Sequence, residues 1–153
     1  MCGIFGAIGW EHLNSEGVYS SLKERGPDSH GIWSNTKNGL CCTFLHTRLA
    51  IQDRTHLGHQ PMISENKDLV IVFNGEIYNK TELRNGLQLN GYKFKSNSDT
   101  EVLLKGFEYW KDKLWGKLNG IFAIACWEIS SQTLTLVRDR FGVKPLLLYQ
   151  TGN

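Results

Sequence analysis

The run Leu69-Val70-Ile71-Val72-Phe73 places five apolar side chains in a row, three of them β-branched. Because successive side chains of a strand point to opposite faces, a strand of this kind must be covered on both sides. A second stretch, 121–128, is apolar on both faces in the same way. The sequence therefore predicts central strands in a sheet that other elements bury from both sides.

The remaining pattern predicts three helices and several shorter strands. Capping boxes, with an acidic residue three positions after the capping residue, occur at Asn79 with Glu82 and at Ser98 with Glu101. Asn74-Gly75 is the strongest short signal for a tight hairpin. The predicted helices span 14 or 15 to 23, 79–89 and 98–114. The predicted strands are 2–8, 30–34, 40–46, 48–51, 69–73, 76–78, 92–94, 121–128, 134–137 and 146–149. Turns or loops are predicted at 35–39, 53–61 and 130–132. Together, these predicted elements indicate an α+β protein whose mostly antiparallel sheet is covered by helices.

Length and composition indicate one ordinary globular domain over residues 1–153, with 41% hydrophobic and 21% charged residues. The 17 basic and 15 acidic residues balance too closely to favour nucleic acid as a partner. No segment has the length of a membrane span or the pattern of a signal peptide. The four cysteines show no disulfide-framework spacing, which indicates free thiols in a reducing compartment, so we expect a cytoplasmic protein.

Cys2 directly follows the initiator methionine and begins a β-type segment. If Met1 is removed, Cys2 carries both a nucleophilic sulfur and a free α-amine, whose reference pKa of about 8 lets it act as a base near neutral pH. Acyl transfer also needs donors for a developing oxyanion, and Asn74 with Gly75 can offer a side-chain amide and a backbone N–H. Taken alone, the first segment favours a simpler interpretation, a buried cysteine on a first strand, and Asn-Gly favours a tight turn.

Arg48 and Asp99 are the candidate groups for recognising a charged substrate. Arg48 stands between apolar positions, where it is either a surface residue with a buried stem or a fork that holds a carboxylate. Asp99 follows Ser98 in a predicted first helical turn, where it either stabilises the helix or receives a substrate ammonium. The two charges together would suit an α-amino acid.

Two other kinds of site are disfavoured by the spacing. Residue types that bind zinc are present, but they form no two clean ligand pairs, and adjacent cysteines on a strand point to opposite faces. The tryptophans are scattered along the chain and predict core positions, not a nucleic-acid stacking platform. The zinc-type residues are Cys41, Cys42, His46, His56 and His59.

The motifs around these residues resemble class II glutamine amidotransferase domains, the N-terminal-nucleophile kind. The matching pieces, in chain order, are CGIFG, RGPDSHG, HTRLAIQD, GHQPM, FNGEIYN, SDTEVLL, LNGIFAIA and RDRFGVKPLL, which begin at Cys2, Arg25, His46, Gly58, Phe73, Ser98, Leu118 and Arg138. They cover nearly the whole chain, and the ordered set is far more specific than any single piece. Within the family, the RGPD and GHQPM forms are most similar to the glutaminase half of glutamine-dependent asparagine synthetase.

The resemblance implies a four-layer αββα sandwich and hydrolysis of L-glutamine to glutamate and ammonia through a thioester. It assigns Cys2 as the nucleophile, its α-amine as the base, and Asn74 with Gly75 as the oxyanion hole. The loop 25–29 would lie over the nucleophile. For substrate binding, the resemblance implies Arg48 for the α-carboxylate, Asp99 with help from Glu76 for the α-ammonium, and backbone near Ile51 as pocket lining.

The resemblance also implies what the reaction needs from outside the chain. The glutaminase step needs no metal or organic cofactor, and ATP and Mg²⁺ would serve only a synthetase domain, which this sequence lacks. The ammonia would pass to an asparagine-synthetase-type domain or subunit. The alternatives are another acceptor, such as a sugar in polysaccharide biosynthesis, or a glutamine-binding domain that retains Met1 and has no activity.

Two departures from the family pattern carry expectations of their own. Family domains continue with further strands beyond the point where this sequence stops, so we expect those closing strands to be absent. The sheet edge left exposed would favour association, for example as a homodimer. If Met1 is retained, the nitrogen of Cys2 is an amide and cannot act as a base, so we expect activity only after Met1 is removed.

Overall fold

The computed structural model describes residues 2–51, 53 and 55–151, so Met1 and the expectation that rests on it lie outside the described residues. The strands form two antiparallel sheets. The first sheet consists of β1 (Gly3–Ile8), β2 (Ser29–Lys37) and β3 (Leu40–Arg48), and the second of β4 (Met62–Ile63), β5 (Leu69–Ile77), β6 (Gly120–Glu128) and β7 (Thr133–Arg138). The two sheets stack face to face, with strand orders β1-β3-β2 and β4-β5-β6-β7. The helices are α1 (Ser15–Leu22), α2 (Lys80–Leu89) and α3 (Asp99–Trp110), with 3₁₀ turns at Lys23–Arg25, His56–Gly58 and Lys111–Lys117.

Alternating side chains of the central strands build two separate apolar layers. Val70 and Val72 of β5 face the first sheet and pack with Phe44 of β3, whereas Ile71 and Phe73 face α2 and α3. Helix α1 packs against β1 and β3. The order of layers is therefore α1, first sheet, second sheet, then α2 with α3. This confirms the predicted αββα sandwich and the two-sided burial of the run 69–73.

Asn74-Gly75 does not form a hairpin, so that prediction is wrong. Strand β5 runs straight through the pair to Ile77, and Asn74 and Gly75 stand opposite Ala123 and Phe122 of β6. The nine-residue ladder with β6 outweighs a local turn preference. A tight hairpin forms instead within the predicted turn 35–39, at Asn38-Gly39, where both residues have positive φ, 51° and 78°.

Several predicted strand limits also need correction. Strand β2 extends to Lys37, and β3 continues to Arg48 and ends there, so the predicted separate strand 48–51 does not form. The chain turns away there because the backbone N–H of Ala50 donates to the carboxylate of Asp28 at 2.7 Å. The segment 92–94 is not a strand either: the Phe94 ring stacks under the guanidinium of Arg84, 4.3 Å away, instead of joining a ladder.

The predicted last strand, 146–149, does not form in the described chain. Leu147, Leu148 and Tyr149 are 93%, 72% and 82% exposed. An extended segment needs a neighbouring strand to satisfy its backbone, and no described strand pairs with this one.

Only one of the two predicted capping boxes has its cap. The Ser98 hydroxyl accepts the N–H of Glu101 at 3.2 Å, although the Glu101 carboxylate turns to the backbone N–H groups of 95 and 96. Asn79 makes no side-chain cap to α2. Its amide instead accepts the N–H of Asn119 and donates to the carbonyl of Lys117, which ties the start of α2 to the segment before β6.

Candidate active site

The ends of β1, β3 and β5 and the start of α3 surround one cavity of about 320 Å³. Side chains from segments far apart in the sequence meet there, because the two stacked sheets bring those strand ends together. Every site residue predicted from the sequence lines this cavity: Cys2, Arg48, Ile51, Asn74, Gly75, Glu76 and Asp99.

Cys2 is held at the cavity wall from several sides. Its Sγ accepts the backbone N–H of Leu49 at 3.4 Å and lies 3.8 Å from the Leu49 carbonyl oxygen. The next residue, Gly3, donates its N–H to the Thr47 hydroxyl at 3.2 Å, and a Cβ on Gly3 would meet that oxygen at 2.7 Å. A larger residue at position 3 would therefore push the first strand, and Cys2 with it, away from β3.

The predicted loop 25–29 is bonded both to Cys2 and to the end of β3. Arg25 donates its Nε–H to the Cys2 carbonyl at 3.2 Å. Asp28 donates its backbone N–H to the Arg48 carbonyl at 3.0 Å, and its carboxylate accepts the N–H of Ala50. Gly26 packs so closely on the backbone of Thr47 and Arg48 that a Cβ there would collide with it. The RGPD sequence thus shapes the cavity wall beside the thiol.

Arg48 is 9% exposed, which rules out the interpretation as a surface residue. Its Nη1 donates to the Thr55 carbonyl at 2.8 Å, and its Nη2 donates to the Asp53 carbonyl. A Cβ on Gly58 would collide with Nη2, so a larger residue there would push the guanidinium aside. These contacts pin a permanent positive charge at the cavity wall.

The carboxylate of Asp53 lies beside this guanidinium. Hydrogen bonds from the hydroxyl and backbone N–H of Thr55 and from the N–H of Asn97, together with the charge of Arg48, lower the pKa of Asp53. Asp53 is therefore ionised near neutral pH, and it joins the loop around Arg48 to the segment that leads into α3.

Asp99 is buried at the first turn of α3, where the helix dipole favours a negative charge. Its Oδ2 accepts the backbone N–H of Ile77 at 2.9 Å, and its Oδ1 lies 2.9 Å from the ammonium of Lys80. Glu76, two residues from Asn74 and on the same face of β5, is exposed at the cavity rim.

The cavity is also lined by residues that reasoning from individual residues did not single out, among them Gln60, Thr100 and Lys144. Buried Gln60 donates from Nε2 to the Thr100 hydroxyl at 3.0 Å and accepts the backbone N–H of Phe73 at 2.6 Å. Buried Lys144 is carried by a loop that the Asp139 carboxylate holds through the N–H groups of 143 and 144. Each of the three falls within a matching motif, Gln60 in GHQPM, Thr100 in SDTEVLL and Lys144 in RDRFGVKPLL, so these motifs contained the signal.

His46 lies behind the cavity with no exposed surface, and neither ring nitrogen has a hydrogen-bond partner among the described residues. Burial lowers the pKa of His46 to about 4, so the ring is neutral near pH 7. Burial also lowers the pKa of His59, with a smaller contribution from the charge of Arg48. Across 2–51, 53 and 55–151, the side chains of the cysteines, histidines, Asp and Glu form no group of three or more that could hold a metal ion.

The model of the glutamine amidotransferase domain family matches residues 1–153. The chain belongs to this family. Among curated relatives of the domain, asparagine synthetase (glutamine-hydrolysing) 3 of Bacillus subtilis is 37% identical over 161 residues, which cover 100% of this chain and 25% of the relative. A putative asparagine synthetase (glutamine-hydrolysing) 2 of Methanocaldococcus jannaschii is 36% identical, covering 100% of this chain and 33% of the relative. The amidotransferase domain thus spans about a quarter to a third of these relatives' length.

Two solved structures show the same fold as this domain. Glutamine phosphoribosylpyrophosphate amidotransferase from B. subtilis, complexed with ADP and GMP, superposes with a TM-score of 0.70 at 23% identity, over 93% of this chain and 38% of that one. A structure described as the allosteric regulatory enzyme of purine biosynthesis gives a TM-score of 0.73 at 23% identity, over 95% and 38%. The described part of the amidotransferase domain has no helix long and apolar enough to cross a membrane, and its four cysteines are free thiols.

Proposed function

We propose that this domain hydrolyses L-glutamine to glutamate and ammonia, with the Cys2 thiol as the nucleophile. The observation that carries the proposal is the convergence of the Cys2 thiol, the buried guanidinium of Arg48 and the buried carboxylate of Asp99 on a single cavity, together with Asn74 and Gly75. A free α-amino acid carries one charge of each sign at its α-carbon. Arg48 and Asp99 offer the opposite charges at the wall of the same cavity.

In the proposed reaction, the Cys2 sulfur attacks the side-chain carbonyl carbon of glutamine, and its proton passes to the α-amine of the same residue. The carbonyl oxygen becomes an oxyanion, which the Asn74 amide and the Gly75 N–H stabilise. The C–N bond then breaks, and the nitrogen leaves as ammonia after taking the proton. Water hydrolyses the remaining γ-glutamyl thioester, which releases glutamate and restores the thiol.

Substrate recognition follows from the charges around the thiol. Arg48 binds the α-carboxylate with its planar guanidinium, which hydrogen bonds to the carbonyls of Asp53 and Thr55 hold in place. Asp99 binds the α-ammonium, and Glu76 at the rim adds a second negative charge. Ile51, which is 70% exposed, lines the same cavity, and its backbone would border the bound substrate.

The ammonia acceptor is the second part of the proposal. Relatives that match the whole chain are named asparagine synthetases, and they are three to four times longer than the matched part. This supports transfer of ammonia to an asparagine-synthetase-type domain or subunit, where ATP and Mg²⁺ would be used. The free thiols fit the reducing conditions of the cytoplasm.

The direct test measures glutamate release from L-glutamine by protein whose Met1 loss has been verified by intact mass. We expect Cys2→Ala to abolish release while still binding glutamine, and Cys41→Ser, a thiol on β3 outside the cavity, to retain it. Activity that survives Cys2→Ala would refute the nucleophile. Protein that retains Met1 is expected to bind glutamine without hydrolysing it, because its Cys2 nitrogen is an amide.

A further inference from the structure

The carboxylate proposed to bind the substrate ammonium is already paired with a cation of the chain itself. The ammonium of Lys80 lies 2.9 Å from Asp99 Oδ1 and donates to the carbonyl of Asn97 at 3.0 Å. Oδ1 is covered from solvent and, apart from this ion pair, no described group donates a hydrogen bond to it, whereas Oδ2 accepts the backbone N–H of Ile77. Asp99 is therefore already charge-paired with Lys80, while Oδ1 keeps the capacity to accept a hydrogen bond from a second ammonium.

Of the two groups on Asp99, Lys80 is the one that a side-chain rotation can move away. The Ile77 N–H belongs to strand β5 and is fixed by the sheet, so it orients the carboxylate whether or not Lys80 is present. Lys80 is a flexible side chain with 23% of its surface exposed, and it can return to solvent and recover rotamer freedom. Its position also disfavours a cation, because Lys80 is the first residue of α2, where the helix dipole is positive.

We propose that Lys80 is an internal competitor for the ammonium subsite, so that glutamine binds Asp99 at the expense of the Lys80–Asp99 ion pair. This rests on the proposed glutaminase function and adds a residue that sets its affinity. Lys80 does not line the cavity, whereas Asp99 does, so the lysine approaches the carboxylate from α2 and not from the substrate side. Its charge neutralises Asp99 when the site is empty and opposes the substrate ammonium when glutamine arrives.

The competition affects binding and not the chemical step, since Lys80 lies at the α-amino end of the substrate and not at the reacting amide. Removing the charge while keeping the aliphatic length, with Lys80→Met, should lower KM for glutamine by roughly five- to tenfold and leave kcat nearly unchanged. Lys80→Arg keeps the positive charge and should retain a KM close to that of the native domain. Lys93→Met, an exposed lysine outside the cavity, is the matched control and should change neither constant.

A substrate analogue without the α-amino group separates competition from a structural role. Glutaramate, which is glutamine lacking that group, should inhibit the Lys80→Met and native proteins equally, because it does not need Asp99. If Lys80→Met raises KM for glutamine or leaves it unchanged while the protein remains folded, Lys80 is not a competitor and the inference is wrong. If the methionine variant folds poorly, Lys80→Gln provides the same test. If the native protein without Met1 neither binds nor hydrolyses glutamine, the proposed function itself fails, which is a different result.

Discussion

Gly75 faces the backbone carbonyl of Ile121 on the neighbouring strand so closely that a Cβ at this position would collide with that oxygen. The two strands can therefore pair through the site only because residue 75 is glycine. The proposed oxyanion donors, the Asn74 amide and the Gly75 N–H, sit at this point of close approach.

Gly75→Ala should both weaken the fold and remove activity. The added methyl group has to push β5 away from β6, which we expect to cost about 1–3 kcal/mol of unfolding free energy. A displacement of the donors by about 1 Å is enough to reduce kcat by roughly 100-fold. Thermal unfolding and glutamate release measure the two effects. Gly116→Ala, where a Cβ meets nothing within 4 Å, is the control and should change neither.

Arg48→Lys tests whether the guanidinium grips the α-carboxylate. Lysine keeps the charge but loses the planar fork, so KM for glutamine should rise by roughly 10- to 100-fold. Turnover of 4-aminobutanamide, which is glutamine without its carboxylate, should fall much less. An equal loss of turnover with both substrates would mean that Arg48 acts only through its hydrogen bonds to the carbonyls of Asp53 and Thr55.

Gln60→Met should destabilise the domain although it keeps the length of the side chain. The change leaves the N–H of Phe73 and the hydroxyl of Thr100 without their partner inside the protein, which typically costs about 1–3 kcal/mol for a buried polar group. Urea unfolding measures the loss. Gln88→Met on the exposed face of α2 is the matched control, and a comparable loss there would show that the effect does not come from the buried hydrogen bonds.

His46 should make the domain acid-sensitive. Its pKa is lowered to about 4 in the folded protein, whereas the unfolded chain titrates with the reference value of about 6.5. Between these values the unfolded state binds the extra proton, so the stability that the neutral ring provides is complete above pH ~6.5 and is lost as the pH falls toward 4. The loss is on the order of 3 kcal/mol.

Urea unfolding of His46→Leu between pH 4 and 7 checks this expectation. The dependence of unfolding free energy on pH should be flatter than in the native domain, while His12→Asn, at an exposed site, should leave the native slope unchanged. A slope that His46→Leu does not alter would assign the acid sensitivity to other groups.

The Asn-Gly pairs at 38–39 and 74–75 have the same local preference for a turn but adopt different backbone conformations. At Asn38-Gly39 the pair forms a tight turn within the predicted turn 35–39, because the two strands it joins pair with each other up to Lys37 and Leu40 on either side of it. At Asn74-Gly75 the same dipeptide is extended, because β6 offers a full ladder of hydrogen bonds and leaves no room for a side chain. The dipeptide is identical in both places, so only the long-range partner decides between turn and strand.

The sequence by itself determined the two-sided central strands, the helix starts and the residue types able to act on an amino acid, because side-chain periodicity and capping are local properties. Tertiary structure alone decided that Cys2, Arg48, Asn74 and Asp99 share one cavity, since their approach depends on how strands distant in sequence pair and stack. Tertiary structure also decided that the Arg48 guanidinium is hydrogen-bonded to the carbonyls of Asp53 and Thr55, and that Lys80 forms an ion pair with Asp99. Contacts of this kind form between segments that no local pattern connects.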